Sequence, residues 1–183
     1  MSEEMIVRHC SPTLAGIKTG SLFNCPFESK ETLNREINQL NRSLAKKGLR
    51  VLPLRYSGKK ALIYIYRPAR LRDDLLCDDV APLLRDRGYQ LEAPDRCVIH
   101  LIDRLRDEGG FPHEIGLFLG YPPEDVKGFI EKRECKLSGY WRVYSDVSSA
   151  KAKFDKFSKC FRIYLEQLEK GRGLEQLTVG FAG

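Results

Sequence analysis

The chain has no uninterrupted apolar run approaching about 18 residues, the length a membrane-spanning helix needs, so no spanning segment is expected. It has no G-x-x-x-x-G-K, no strand-linked G-x-G-x-x-G and no H-E-x-x-H, and so lacks the signatures of nucleotide hydrolysis, dinucleotide binding and zinc-peptidase chemistry. It also has no C-x-x-C pair. The six cysteines are scattered at 10, 25, 77, 97, 135 and 160, which suggests neither a structural zinc nor a thioredoxin-type redox centre, and no metal site is expected. Histidine is scarce, so imidazole chemistry would have to use His9, His100 or His113. Met1-Ser2-Glu3-Glu4 is acidic where an export signal would be basic and then apolar, and a cytoplasmic protein without a membrane partner is expected. No internal repeat, low-complexity stretch or linker divides the sequence.

What is present suits a protein with a sizeable core. With 183 residues, 42% of them hydrophobic and 31% charged, the chain can bury that core without disulfide or metal staples. Its net charge of +6 admits a polyanionic partner. However, Lys and Arg alternate with Asp and Glu through 70–87 and 103–108, the pattern of a solvated face.

Periodicity supplies the elements. Leu33, Ile37, Leu40 and Leu44 recur at helical spacing and Gly48 follows, which predicts a helix over 29–47. The β-rich runs 49–56 and 60–66 around Ser57-Gly58-Lys59 predict a hairpin, with Pro53 placing the first strand at an edge. Residues 5–10 read as a short strand. Ser11-Pro12 then reads as a helix start, leading into a short helix over 14–23 broken by Gly20. Further helices are predicted over 69–76, 78–87, 95–108, 112–119 and 123–133, and a strand over 140–144. A final long helix over 147–170 carries an apolar stripe of Phe154, Phe157, Phe161, Tyr164, Leu165 and Leu168. The sum is a single α+β domain over 1–171. A small antiparallel sheet from 50–66 and 140–144, joined by 5–9, is covered by five to seven helices, and 172–183 form a loose tail.

Two segments carry functional signals. Phe111 to Ile130 reads as two short helices about a turn. Gly116 permits close approach, Gly120 supplies a left-handed residue, and Ile115, Leu119, Val126 and Ile130 form the packing face. Such a corner can read DNA, but Pro122-Pro123-Glu124-Asp125 would put two carboxylates where a recognition helix meets phosphate, which makes nucleic acid the less favoured partner. The second segment is His9-Cys10. Cys10 precedes Ser11, and at the positive end of a helix its thiolate would be favoured. His113 follows the lead-in Gly109-Gly110-Phe111-Pro112, and Glu114 beside it can orient an imidazole, although adjacent helical residues diverge. A histidine at a helix start is also an ordinary surface group, and Cys97 and Cys160 lie in helical stripes as small apolar residues.

The expectation from these residues is a protein that binds a small molecule or cofactor, with thiol-dependent chemistry. Cys10, His113 and Glu114 are the candidate catalytic residues, and His9, Arg55, Tyr121 and Trp141 the candidate ligand contacts. Whether it is an enzyme and which cofactor it takes stay open. The alternatives are a DNA-binding regulator using 112–132 and a protein-interaction module without chemistry.

The segments His9-Cys10-Ser11-Pro12-Thr13-Leu14-Ala15-Gly16-Ile17-Lys18, Phe111 to Ile130 and Gly139-Tyr140-Trp141-Arg142-Val143-Tyr144 together resemble an uncharacterised family of similar length from anaerobic bacteria. The resemblance covers residues 5 to about 168. It implies a single-domain cytoplasmic bacterial protein and transfers no activity and no catalytic residue.

Overall fold

Ser2, not Ser11, starts the first helix in the computed structural model, which describes residues 1–106 and 111–180. The Ser2 hydroxyl accepts the Met5 N–H at 3.2 Å, and Glu3 and Glu4 occupy the first turn, where the helix dipole favours acids. Helix α1 (Glu3–Leu14) therefore absorbs residues 5–10, which are not a strand. It places Ile6, Val7, Cys10 and Leu14 on one buried face. Pro12 lies inside this helix rather than at its start. The carbonyl that Pro12 leaves without a helical donor belongs to Arg8, on the exposed side.

The expected short helix over 14–23 is instead strand β1 (Gly20–Pro26), with Ser21, Phe23 and Cys25 inward and Asn24 and Pro26 outward. Helix α2 (Lys30–Leu44) follows. Ser29 caps its Thr32 N–H, Leu33, Ile37 and Leu44 are buried, and a 3-10 turn over Ala45–Lys47 ends at Gly48 with φ +76°. β2 (Arg50–Ser57) and β3 (Lys60–Tyr66) form the hairpin. The sheet is antiparallel in the order β1-β3-β2, so β2 is at an edge, as Pro53 requires, and its register shifts between Pro53 and Arg55.

Beyond the sheet come α3 (Pro68–Leu75), α4 (Ala81–Arg85), α5 (Pro94–Arg106), α6 (Ile115–Phe118) and α7 (Pro123–Ile130). They are followed by strands β4 (Leu137–Ser138) and β5 (Arg142–Val143), the long helix α8 (Val147–Glu169) and the short α9 (Leu174–Leu177). The strand expected at 140–144 does not join the main sheet. β5 pairs with β4 in a separate two-stranded sheet, Leu137 facing Val143 and Ser138 facing Arg142. The end of the predicted 95–108 helix and the Gly109-Gly110 lead-in lie outside the described residues.

The chain resolves into two compact units, residues 1–69 with the segment from 159 onward, and residues 70–158. In the first unit, α1 and the sheet enclose a core that includes Cys10, Cys25, Leu49, Val51, Ile63 and Ile65. Tyr164 and Leu168 of α8 pack against it. The tail is not loose up to Gly180. Leu174 and Leu177 are buried in the same core, and the Val179 N–H donates to the Leu14 carbonyl at 3.0 Å. Arg67, 1% exposed, ties these ends together by donating to the carbonyls of Thr13, Leu14 and Val179 at 2.8, 2.7 and 2.7 Å. In the second unit, Leu84, Leu101 and Phe118 are fully buried, and the Tyr89 ring packs on Phe118 and His100.

Candidate functional site

The α6–α7 corner is built around its glycines. Gly120 has φ +73°, the left-handed conformation that lets the chain reverse, and Pro122 and Pro123 then open α7 with φ already set. At Gly116 a β-carbon would lie 2.8 Å from Val126 Cγ2, so α6 and α7 approach as closely as they do only because it is absent.

Asp125 fastens the next segment to this corner. It is 2% exposed, and its Oδ1 accepts the backbone N–H groups of Tyr144 and Ser145 and the Ser145 hydroxyl, each at 2.8 Å. Its Oδ2 accepts the Trp141 indole N–H at 2.7 Å. Burial by itself would raise the carboxyl pKa. The donors from Tyr144, Ser145 and Trp141 outweigh it and hold Asp125 below the ordinary carboxylate value. The acid expected at a surface helix end is therefore the anchor of the 141–145 segment.

That anchoring positions Trp141 across an apolar cavity of about 290 Å³. Ile115, Leu119 and Val126 of the corner form one part of its wall, and the rings of Phe111, Tyr121, Phe129 and Trp141 form the rest. Tyr121 and Trp141 stack with centroids 5.2 Å apart, and Phe154 of α8 backs the indole edge-on at 4.5 Å. Burial pushes the Tyr121 phenol up to about 12, so it stays neutral, and it donates to the Tyr140 carbonyl at 3.2 Å. At the rim, His113 meets the Phe129 ring edge-on at 4.8 Å and the Arg142 guanidinium lies 5.6 Å from the centre of that same ring. Both rim residues are exposed, and Arg142 has no carboxylate partner among the described residues.

Of the seven residues singled out from the sequence, His113, Tyr121 and Trp141 line this cavity. The other four do not. Glu114 turns away from His113 into a buried ionic cluster, where it accepts from Arg104 Nε at 2.5 Å and the Tyr89 hydroxyl at 3.1 Å, with Arg87 at 3.8 Å. Burial raises the Tyr89 pKa, and the neighbouring Glu114 charge raises it further. Cys10 belongs to the first unit, near the middle of α1, and is fully buried. Burial pushes its thiol up to about 12 against the opposing influence of Lys18 and Ser21, so nothing in its surroundings supports the activated-thiol expectation. His9 is exposed and stacks on Phe23 at 5.2 Å, and Arg55 is exposed on edge strand β2. Sequence reasoning missed Asp125, Phe129 and Arg142. Of these, only the acid in the first turn of α7 had a local signal, and that signal pointed to solvent.

The exposed charges of α7 and the segment after it are mixed, with Glu124, Glu131 and Glu134 against Lys127, Lys132, Arg133 and Lys136. Among the described residues, no three or more His, Cys, Asp or Glu side chains gather as a metal would require. No helix is long and apolar enough to cross a membrane.

Fold and site together define an α+β protein with a small antiparallel sheet, a long C-terminal helix and an aromatic-walled cavity. A family model described as "Protein of unknown function (DUF3793)" matches residues 6–178, and the chain belongs to that family. No curated protein and no solved structure is significantly similar to it.

Proposed function

We propose that the protein binds a small, predominantly apolar organic molecule in the cavity beside the α6–α7 corner. The observation that carries this reading is the wall itself: four aromatic rings and three aliphatic side chains surround about 290 Å³ of space, with ionisable side chains free to meet a ligand only at the rim. An apolar cavity of about 150 Å³ accepts benzene. Twice that volume suits a body of one or two rings, and burying that body against Trp141 and Phe129 supplies the affinity. Thiol chemistry does not belong to this reading, because Cys10 does not line the cavity and burial suppresses its ionisation.

The test is titration calorimetry of the full chain with 4-phenylbutanamide, a neutral probe with an aromatic body. Saturable binding is expected, and Ile115→Phe, which fills the cavity from its wall, should abolish it. Leu119→Phe serves as a second filling variant should the first fail to fold. Undiminished binding to both folded variants would place the ligand elsewhere.

A further inference from the structure

We propose that the ligand is an organic carboxylate whose apolar body enters the cavity while its carboxylate pairs with Arg142 at the rim. This rests on the cavity being the binding site. The Arg142 guanidinium lies 5.6 Å from the Phe129 ring centre and has no carboxylate partner among the described residues. A ligand body seated on Phe129 covers part of the guanidinium and strips water from it. A neutral ligand would leave that cost uncompensated, whereas a carboxylate meets the guanidinium fork with two parallel hydrogen bonds. His113, in contact with the same ring, can donate to the carboxylate from whichever ring nitrogen carries the proton.

The same geometry disfavours an organic cation, the other ligand class that aromatic walls attract. A cation needs a free aromatic face or a carboxylate with spare lone pairs. Arg142 already lies against Phe129, and Asp125, the one carboxylate lining the cavity among the described residues, is engaged by four donors. A positively charged ligand would therefore meet the repulsion of Arg142 at the rim, with no described carboxylate there to offset it.

The experiment compares three probes of one shape, 4-phenylbutanoate, 4-phenylbutanamide and 4-phenylbutylammonium, on the full chain. Binding is read from the fluorescence of Trp141, the single tryptophan, excited where phenyl rings do not absorb. The carboxylate should bind about tenfold more tightly than the amide, as a charge-assisted pair at an exposed rim would give, and the ammonium most weakly. In Arg142→Gln, a change at an exposed position, the ratio of acid to amide affinity should fall close to one. Equal affinity for acid and amide in the unaltered protein, or a ratio that survives Arg142→Gln, overturns the carboxylate proposal and leaves the cavity reading standing. Failure of all three probes to bind overturns both.

Discussion

The Trp141 indole N–H donates to the buried Asp125 carboxylate at 2.7 Å, and that one bond sets where the cavity's largest ring stands. Asp125 takes three further hydrogen bonds from Tyr144 and Ser145, so it holds the 141–145 segment against α7. Replacing it leaves these donors facing a group that cannot serve them all. Asp125→Asn should lower stability by about 2–3 kcal/mol, the range for breaking a buried, charge-assisted network. Urea denaturation followed by Trp141 fluorescence measures this, and a loss below about 0.5 kcal/mol would show that the network is dispensable.

Asp125 also gives acid stability a definite sign. Its folded-state pKa lies below the ordinary carboxylate value of 3.8, so its contribution is fully present above that value and is lost as pH falls through the lower folded-state pKa. The stability gap between the unaltered protein and Asp125→Asn should therefore be constant from neutral pH down to about 5 and close below 3.8. A gap that closes above pH 5 would contradict a depressed pKa.

Gly120 tests the corner. At φ +73° a β-branched side chain is strained whatever space surrounds it. Gly120→Val should cost about 1 kcal/mol or more and lower the melting temperature visibly. An unchanged melting temperature would mean that the turn tolerates a β-carbon.

Cysteine reactivity should follow burial rather than sequence neighbourhood. Cys77 and Cys135 are exposed, while Cys10 is fully buried with its thiol pushed up to about 12. Residue-resolved iodoacetamide labelling of the native protein near neutral pH should modify Cys77 and Cys135 first and leave Cys10 among the last. Labelling of Cys10 as fast as Cys135 would restore the activated-thiol reading.

These outcomes also show which physical signals the sequence carries. α2 and the β2–β3 hairpin were legible because their determinants are local: an apolar stripe with a cap at Ser29, and two β-rich runs about Ser57-Gly58-Lys59. The chain start was misread because Ser11-Pro12 and Ser2-Glu3-Glu4 are competing helix starts. The spacing of Ile6, Val7, Cys10 and Leu14, which decides between them, also resembles a short β-rich run. β1 was missed because its alternation is short and begins at a glycine, so only its pairing with β3 identifies it.

The site divides along the same line. His113 and Tyr121 drew notice within the 111–130 corner and Trp141 in the later 139–144 segment, and the structure brings all three to one cavity. The roles of Asp125 and Glu114 were illegible because their partners are remote in sequence: Trp141 and Tyr144 for one, Tyr89 and Arg104 for the other. An isolated acid near a helix start looks like a solvated group until those partners are placed.

The central claim, that this cavity is where a ligand binds, is tested most directly by the NMR cross-peak of the single indole N–H, that of Trp141, together with the backbone amides of Ile115, Leu119, Val126 and Phe129. Titration with 4-phenylbutanoate should move the indole peak saturably, move those four amides with the same midpoint, and leave the amides of the β1-β3-β2 sheet in place. Saturable shifts confined to residues outside the cavity, with the Trp141 indole unmoved, would contradict the account.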